Sequence, residues 1–222
     1  MSWPERDALL DEAAAAEASA GQAPPEATDW PGLGTWSLAR LVGHLVAAVT
    51  GHGLAPAHGS DLTSEPLVGA APDAAGASAE IDRVGFYRRH MALVEAGEAH
   101  EPDDPDPGPP EQWPVALADA RAQAASTLAT ADPAALVETR YGSMTVGEQV
   151  AVRALEVTVH HMDLRAALAL GPEATPLAGR VAQDLLEQLL EGPRPRNLGR
   201  TRFVRAATGR VTFRDPRFPV LR

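Results

Sequence analysis

The sequence predicts an all-α protein, a bundle of helices joined by proline- and glycine-rich connections. Three observations carry that prediction. Apolar residues recur with a helical period, as at Leu38, Leu41, Val42, Leu45 and Val49. The 20 Pro and 19 Gly fall mostly between such stretches, where they act as helix breakers. Residues 146–170 form one long helical stretch with a marked start and stop: Thr145 and Glu148 make a T-x-x-E cap, and Gly171 with Pro172 ends the run.

The elements follow in order. Residues 4–19 read as a first helix, with Pro4 in its first turn and Glu5 and Asp7 near the positive end of its dipole. A Gly/Pro loop spans 21–34. Ser37 caps a second helix that runs to about residue 54, with His44 at the flank of its apolar stripe beside Leu41 and Ala48. Residues 55–78 read as loop and 79–97 as helix. The acidic segment 101–110, EPDDPDPGPP, is a connector that no helix can cross. Residues 114–130 and 175–191 read as further helices. In the tail, residues 202–206 and 211–214 are short β-like runs around Gly209 and predict a hairpin. Two units result: a helical bundle over 1–172, and a C-terminal helix with a short basic tail over 173–222 packed on it.

Composition narrows the function. With no Cys, neither a disulfide framework nor a thiolate metal site can form, so any metal must use His and carboxylates. The formal charge is −11, distributed unevenly. Residues 194–222 hold nine Arg and one acid, Asp215, and the remainder holds ten Arg and 29 acids. An acidic body repels nucleic acid and anionic membranes, and the basic tail is expected to dock on it. The N-terminus lacks a secretory pattern and no apolar run approaches a membrane span, so a cytoplasmic location is expected.

The chemistry concentrates in the long stretch at 146–170. At about 100° per residue, Gln149, Val152, Arg153, Glu156, His160 and Asp163 share one stripe. Leu155, Val159 and Met162 border it on one side, Val157, Leu164 and Leu168 on the other, so the polar stripe faces inward. Gly147, Thr158 and Arg165 are assigned to the solvent side. Buried charges pair or bind metals. Glu156 and His160, four residues apart, can both reach one metal ion, and His44 from the second helix can meet them inside a bundle. The plain alternative is an internal Glu–His ion pair with His44 an ordinary core histidine, and spacing alone leaves both open. Arg153 either orients Glu156 or meets a substrate anion. Asp163 either accepts the free ring N–H of His160 or pairs with Arg40 or Arg153. His161 points to solvent or to a neighbouring helix, and His52 is a loop-end histidine.

Two segments carry a family resemblance. TDWPGLGTWSLARLVGHLV, residues 28–46, has a Trp, a helix cap and a His in an L-x-x-H-L context. MTVGEQVAVRALEVTVHHMDL, residues 144–164, has the pattern R-x-x-E-x-x-x-H-x-x-D-L. Together they resemble the mycothiol-dependent maleylpyruvate isomerase N-terminal domain family, within the DinB-like superfamily of four-helix metalloproteins. The resemblance covers roughly residues 5–170 and implies a divalent metal, usually zinc, held at the positions of His44, Glu156 and His160. It also implies mycothiol as a thiol cosubstrate. The tail is much shorter than the C-terminal domain of the authentic isomerase, so the resemblance implies a family chemistry rather than that one activity.

The expected activity is therefore metal-assisted thiol use, in an S-transferase or isomerase acting on a small electrophilic substrate. The metal lowers the pKa of a bound thiol, and the thiolate attacks an electrophilic carbon. Arg153 and Asp163 are the candidate catalytic residues, and Arg202, Arg205 or Arg210 of the tail the candidate anion-binding groups. The expected partners are a small-molecule thiol and an electrophile, with a homodimer an open alternative. Two competing readings stay open: a metal-dependent hydrolase, and a non-catalytic metal- or ligand-binding protein. A large cavity beside the metal favours thiol chemistry over hydrolysis, and a fourth protein ligand favours the non-catalytic protein.

Overall fold

The computed structural model describes residues 3–51, 78–98 and 104–221, and these are mostly helical. The helices are α1 (Pro4–Ala20), α2 (Leu38–Thr50), α3 (Arg83–Ala96), α4 (Trp113–Ala129), α5 (Val146–Ala167), α6 (Pro176–Leu189) and α7 (Arg200–Ala207). Two antiparallel pairs accompany them, β1 (Pro31–Leu33) with β2 (Trp36–Ser37), and β3 (Leu136–Thr139) with β4 (Gly142–Thr145). His52 and most of the loop expected over 55–78 lie outside the described residues. Among the described residues no helix is long and apolar enough to cross a membrane.

The predicted caps form. The Ser37 side chain accepts from the Arg40 N–H, and that of Thr145 accepts from the Glu148 N–H. The carboxylate of Glu148 does not close the expected box. It accepts instead from the Arg83 N–H and from the Arg83 guanidinium at 2.7 and 2.9 Å, which ties the start of α3 to the start of α5. α2 stops at Thr50, short of the expected residue 54, because Gly51 takes a left-handed φ of 86° that ends the helix.

α5 is the central element. It packs against α1, α2 and α6, while α4 closes against α1 and α2, and α7 covers α6. Leu9, Leu41, Leu45, Leu117, Leu155, Leu186 and Phe203 belong to one continuous hydrophobic cluster. The assignment of Thr158 to the solvent side is corrected: it is fully buried, and its hydroxyl bonds back to Ala154 O. Gly147 and Arg165 are half-buried. Gly147 lies against Pro133, and over the rest of that face lies α1, which supplies polar partners for it. The ring of the buried His161 bridges Glu12 Oε1 at 2.7 Å and Ser19 Oγ at 2.9 Å. The second oxygen of Glu12 accepts from Thr175 N, at the start of α6, at 2.8 Å. A helix buried all round has no single apolar face for periodicity to show.

The tail hairpin is also corrected. Residues 200–207 form α7, which buries Phe203, Val204, Ala206 and Ala207. The alanines favour helix, and packing outweighs the weak strand preference of the Phe–Val pair. Two ion pairs join the basic tail to earlier parts of the chain, Arg210 to Asp163 on α5 and Arg194 to Glu187 on α6.

Candidate metal centre

His44, Glu156 and His160 converge. Each offers one ligand atom, and the three atoms lie within 4.8 Å of one another. The helices place them as the spacing required: Glu156 and His160 stand one turn apart on α5, and His44 faces them from α2. Trp36, delivered by the β1–β2 turn just ahead of α2, braces both rings. Its centroid is 5.1 Å from that of His44 and 6.2 Å from that of His160, the latter nearly parallel at 24°. The two imidazoles meet edge to face at 4.7 Å.

The neighbours decide which atoms are free to coordinate. His44 Nδ1 lies 2.9 Å from Asp104 Oδ1. A carboxylate oxygen accepts, so Nδ1 is the donor in this contact, and Asp104 leaves Nε2 unengaged. Glu156 Oε1 accepts from the Tyr87 hydroxyl at 2.7 Å, leaving Oε2, which lies 3.4 Å from His160 Nε2. His160 Nδ1 lies 3.3 Å from Asp163 Oδ2, close enough for charge attraction but without hydrogen-bond alignment. Asp163 is clamped in turn by Arg210, with Nη2 to Oδ2 at 2.8 Å. The actual cation partner of Asp163 is thus Arg210, not Arg40 or Arg153.

The electrostatics follow this wiring. Burial works against ionisation of Glu156, but its contacts with His160 and Tyr87 and the charge of His44 outweigh it and hold its carboxyl at about 2. Burial alone lowers the affinity of His160 for a proton, while Asp163 and Glu156 raise it, and the net direction is up. Burial, then the Glu156 charge, pushes the Tyr87 hydroxyl well above its ordinary range. Asp163 is held below its ordinary value as well, against the cost of burial, by His160 and Arg210, so Glu156 and Asp163 are ionised at neutral pH while the Tyr87 hydroxyl keeps its proton. In the contacts Asp104–His44 and Glu156–His160–Asp163–Arg210, three carboxylates are set against one guanidinium.

The trio opens on a cavity of about 370 Å³. Its walls are largely apolar, with Leu33, Trp36, Phe86, Leu155 and Val159 among them, and its polar groups include His90, Tyr141 and Arg210. Tyr141 comes from the β3–β4 turn, and its hydroxyl lies 2.8 Å from His90 Nδ1. Burial lowers the affinity of His90 for a proton and raises the Tyr141 pKa, so both are neutral at neutral pH.

The remaining predicted residues sit as follows. Arg153 is fully buried and lines the cavity, but it neither touches Glu156 nor stands free. Its guanidinium donates to Ala48 O at 3.2 Å and to Val49 O, capping the last turn of α2. Burial brings its pKa down to about 9, still charged at neutral pH. Arg202 is exposed and Arg205 half-buried, and neither lines the cavity, because α7 turns Phe203, Val204 and Ala207 inward and leaves these two arginines on its other side. Of the tail arginines, Arg210 reaches the site.

Sequence reasoning missed Asp104, Tyr87, His90 and Tyr141. Tyr141 had a local signal, an R-Y-G turn between strand-like residues. Asp104 is 60 residues from His44 and had none. No protein-family model, curated protein or solved structure matches the chain.

Proposed function

We propose that the protein is a DinB-like, divalent-metal-dependent enzyme, with zinc as the metal, that uses a small thiol in S-transfer to, or isomerisation of, a small electrophile. Mycothiol is the thiol that the sequence resemblance implies. One observation carries the reading: two imidazoles and a carboxylate, from two distant segments, converge at the wall of a partly open cavity.

The residues fit the ion. Two His nitrogens and one carboxylate oxygen are a typical donor set for catalytic zinc, which keeps a fourth position open. Three carboxylates and one guanidinium surround the trio, a balance that suits a cation. The cluster comprises three donors among the described residues, which favours an open position over a closed, non-catalytic site. A volume of about 370 Å³ lies in the usual range for small-molecule pockets, ~300–1,000 Å³, and favours an organic thiol over water alone. The pairing of α1, α2, α4 and α5 supports the four-helix reading.

His44, Glu156 and His160 would hold the divalent ion, which would supply the Lewis acidity that lowers a thiol's pKa. The chain does the rest. Tyr87 fixes the Glu156 carboxylate through Oε1, and Trp36 fixes the two rings. The apolar wall keeps bulk water from the electrophile. The Tyr141 hydroxyl, bonded to His90, is the neutral donor that can give a proton to the substrate.

Metal analysis of purified wild type and His160→Ala tests the reading. Wild type is expected to hold one equivalent and the variant almost none, and equal content in both refutes the assignment. Thermal shift of metal-loaded protein with thiols then tests the cosubstrate, since a bound thiol raises the melting temperature by mass action.

A further inference from the structure

Asp104 belongs to the acidic, proline-rich segment that the sequence presents as a mere connector. Its side chain is only 5% exposed. Oδ1 meets His44 Nδ1 at 2.9 Å, while Oδ2 is buried with no hydrogen-bond partner. A buried carboxylate whose one direct partner is an imidazole is poorly compensated unless that ring gains positive character.

The segment is held in place independently of this bond. Pro105 O lies against Gly43, the residue before His44, so closely that a Cβ there would sit 2.2 Å from it. Further along, the Trp113 indole donates to Gly108 O at 2.9 Å, and Gly108 N donates to Asp106 Oδ1 at 2.9 Å. Loop anchoring therefore does not require a charge at Asp104.

We propose that Asp104 is a positioning residue of the metal centre, acting through His44. It rests on the reading of the trio as a metal site. The carboxylate holds the proton on Nδ1, fixes the plane of the ring and presents Nε2 to the ion. Its negative charge makes Nε2 a stronger donor and balances the charge that the ring takes up on coordination. The connector thus supplies a working part of the site, and the centre is assembled from three separated segments: α2, the 104–108 loop and α5.

The experiment is a Zn²⁺ titration of the full chain against a chromophoric chelator, with visible spectra of the Co²⁺-loaded protein, for wild type, Asp104→Asn and Asp104→Ala. Asp104→Ala is expected to weaken Zn²⁺ binding by about 10–100-fold and to shift the Co²⁺ bands. Asp104→Asn keeps an oxygen that accepts from Nδ1–H but lacks the charge, so it should fall between the two. The Asn variant is nearly isosteric and covers the case in which Ala disturbs the loop. Equal Zn²⁺ affinities and unchanged Co²⁺ spectra in all three, even with a lowered melting temperature, overturn the proposal and leave Asp104 as a loop anchor. A wild type that binds neither ion overturns the metal reading and this inference with it.

Discussion

Replacing Glu12 with Ala tests whether the two adjacent histidines of α5 have separate jobs. Glu12 is fully buried on α1 and accepts from His161 Nδ1 at 2.7 Å and from Thr175 N at 2.8 Å. Truncation strands both donors. Each such loss costs about 1–3 kcal/mol, and removing one partner of a buried pair costs about 3–5 kcal/mol in all. The two figures meet near about 4 kcal/mol. At about 2–4 °C per kcal/mol for a chain of this size, the melting temperature should fall by about 8–16 °C. Urea denaturation of wild type, Glu12→Ala, His161→Ala and the double variant measures it. The second substitution should cost less than in isolation, by about 1–3 kcal/mol, because the residues share one interaction. Neither is a proposed ligand, so the folded variants should bind metal as wild type does, whereas His160→Ala should not. A Glu12→Ala loss within about 1 kcal/mol, or parallel loss of metal by folded His161→Ala, would refute this division of labour.

Two further outcomes follow from the same contacts. In Gly43→Ala the new Cβ meets Pro105 O at 2.2 Å, so the loop must move and take Asp104 with it; Zn²⁺ affinity should drop by about tenfold or more, as for loss of the carboxylate itself. In Glu148→Gln the pairing with Arg83 is lost. The Arg83 side chain holds the Glu148 carboxyl below its ordinary 4.5, so its contribution is full above that value and fades as pH falls through the lower folded-state one. For a partly exposed pair it is about 1 kcal/mol at neutral pH. Urea curves of wild type and variant should differ by that amount near neutral pH and converge once pH has fallen below the lowered folded-state value of Glu148; a constant gap would count against the pairing.

Much of this was written locally. α1, α2, α4, α5 and α6 could be read from caps, breakers and periodicity because those signals act over a few residues. The i,i+4 pair of Glu156 and His160 was legible for the same reason, since one helix turn fixes their relation. The covered back of α5 was not, because α1 supplies its partners from about 150 positions away in sequence. Nor was the helix at Arg200–Ala207, whose short apolar run suits either state until the fold packs it against α6.

By itself, then, the sequence determined the helical class, the donor types open to a metal in a chain without cysteine, and the face of α5 that carries Glu156 and His160. Tertiary packing alone decided that Asp104 and Tyr87 are the groups that orient His44 and Glu156, that Arg210 rather than Arg202 or Arg205 reaches the cavity, and that Arg153 caps α2. The physical reason is range. Backbone hydrogen bonding and side-chain period act between near neighbours, whereas the partner of a buried charge is whichever group the folded chain brings within about 3 Å.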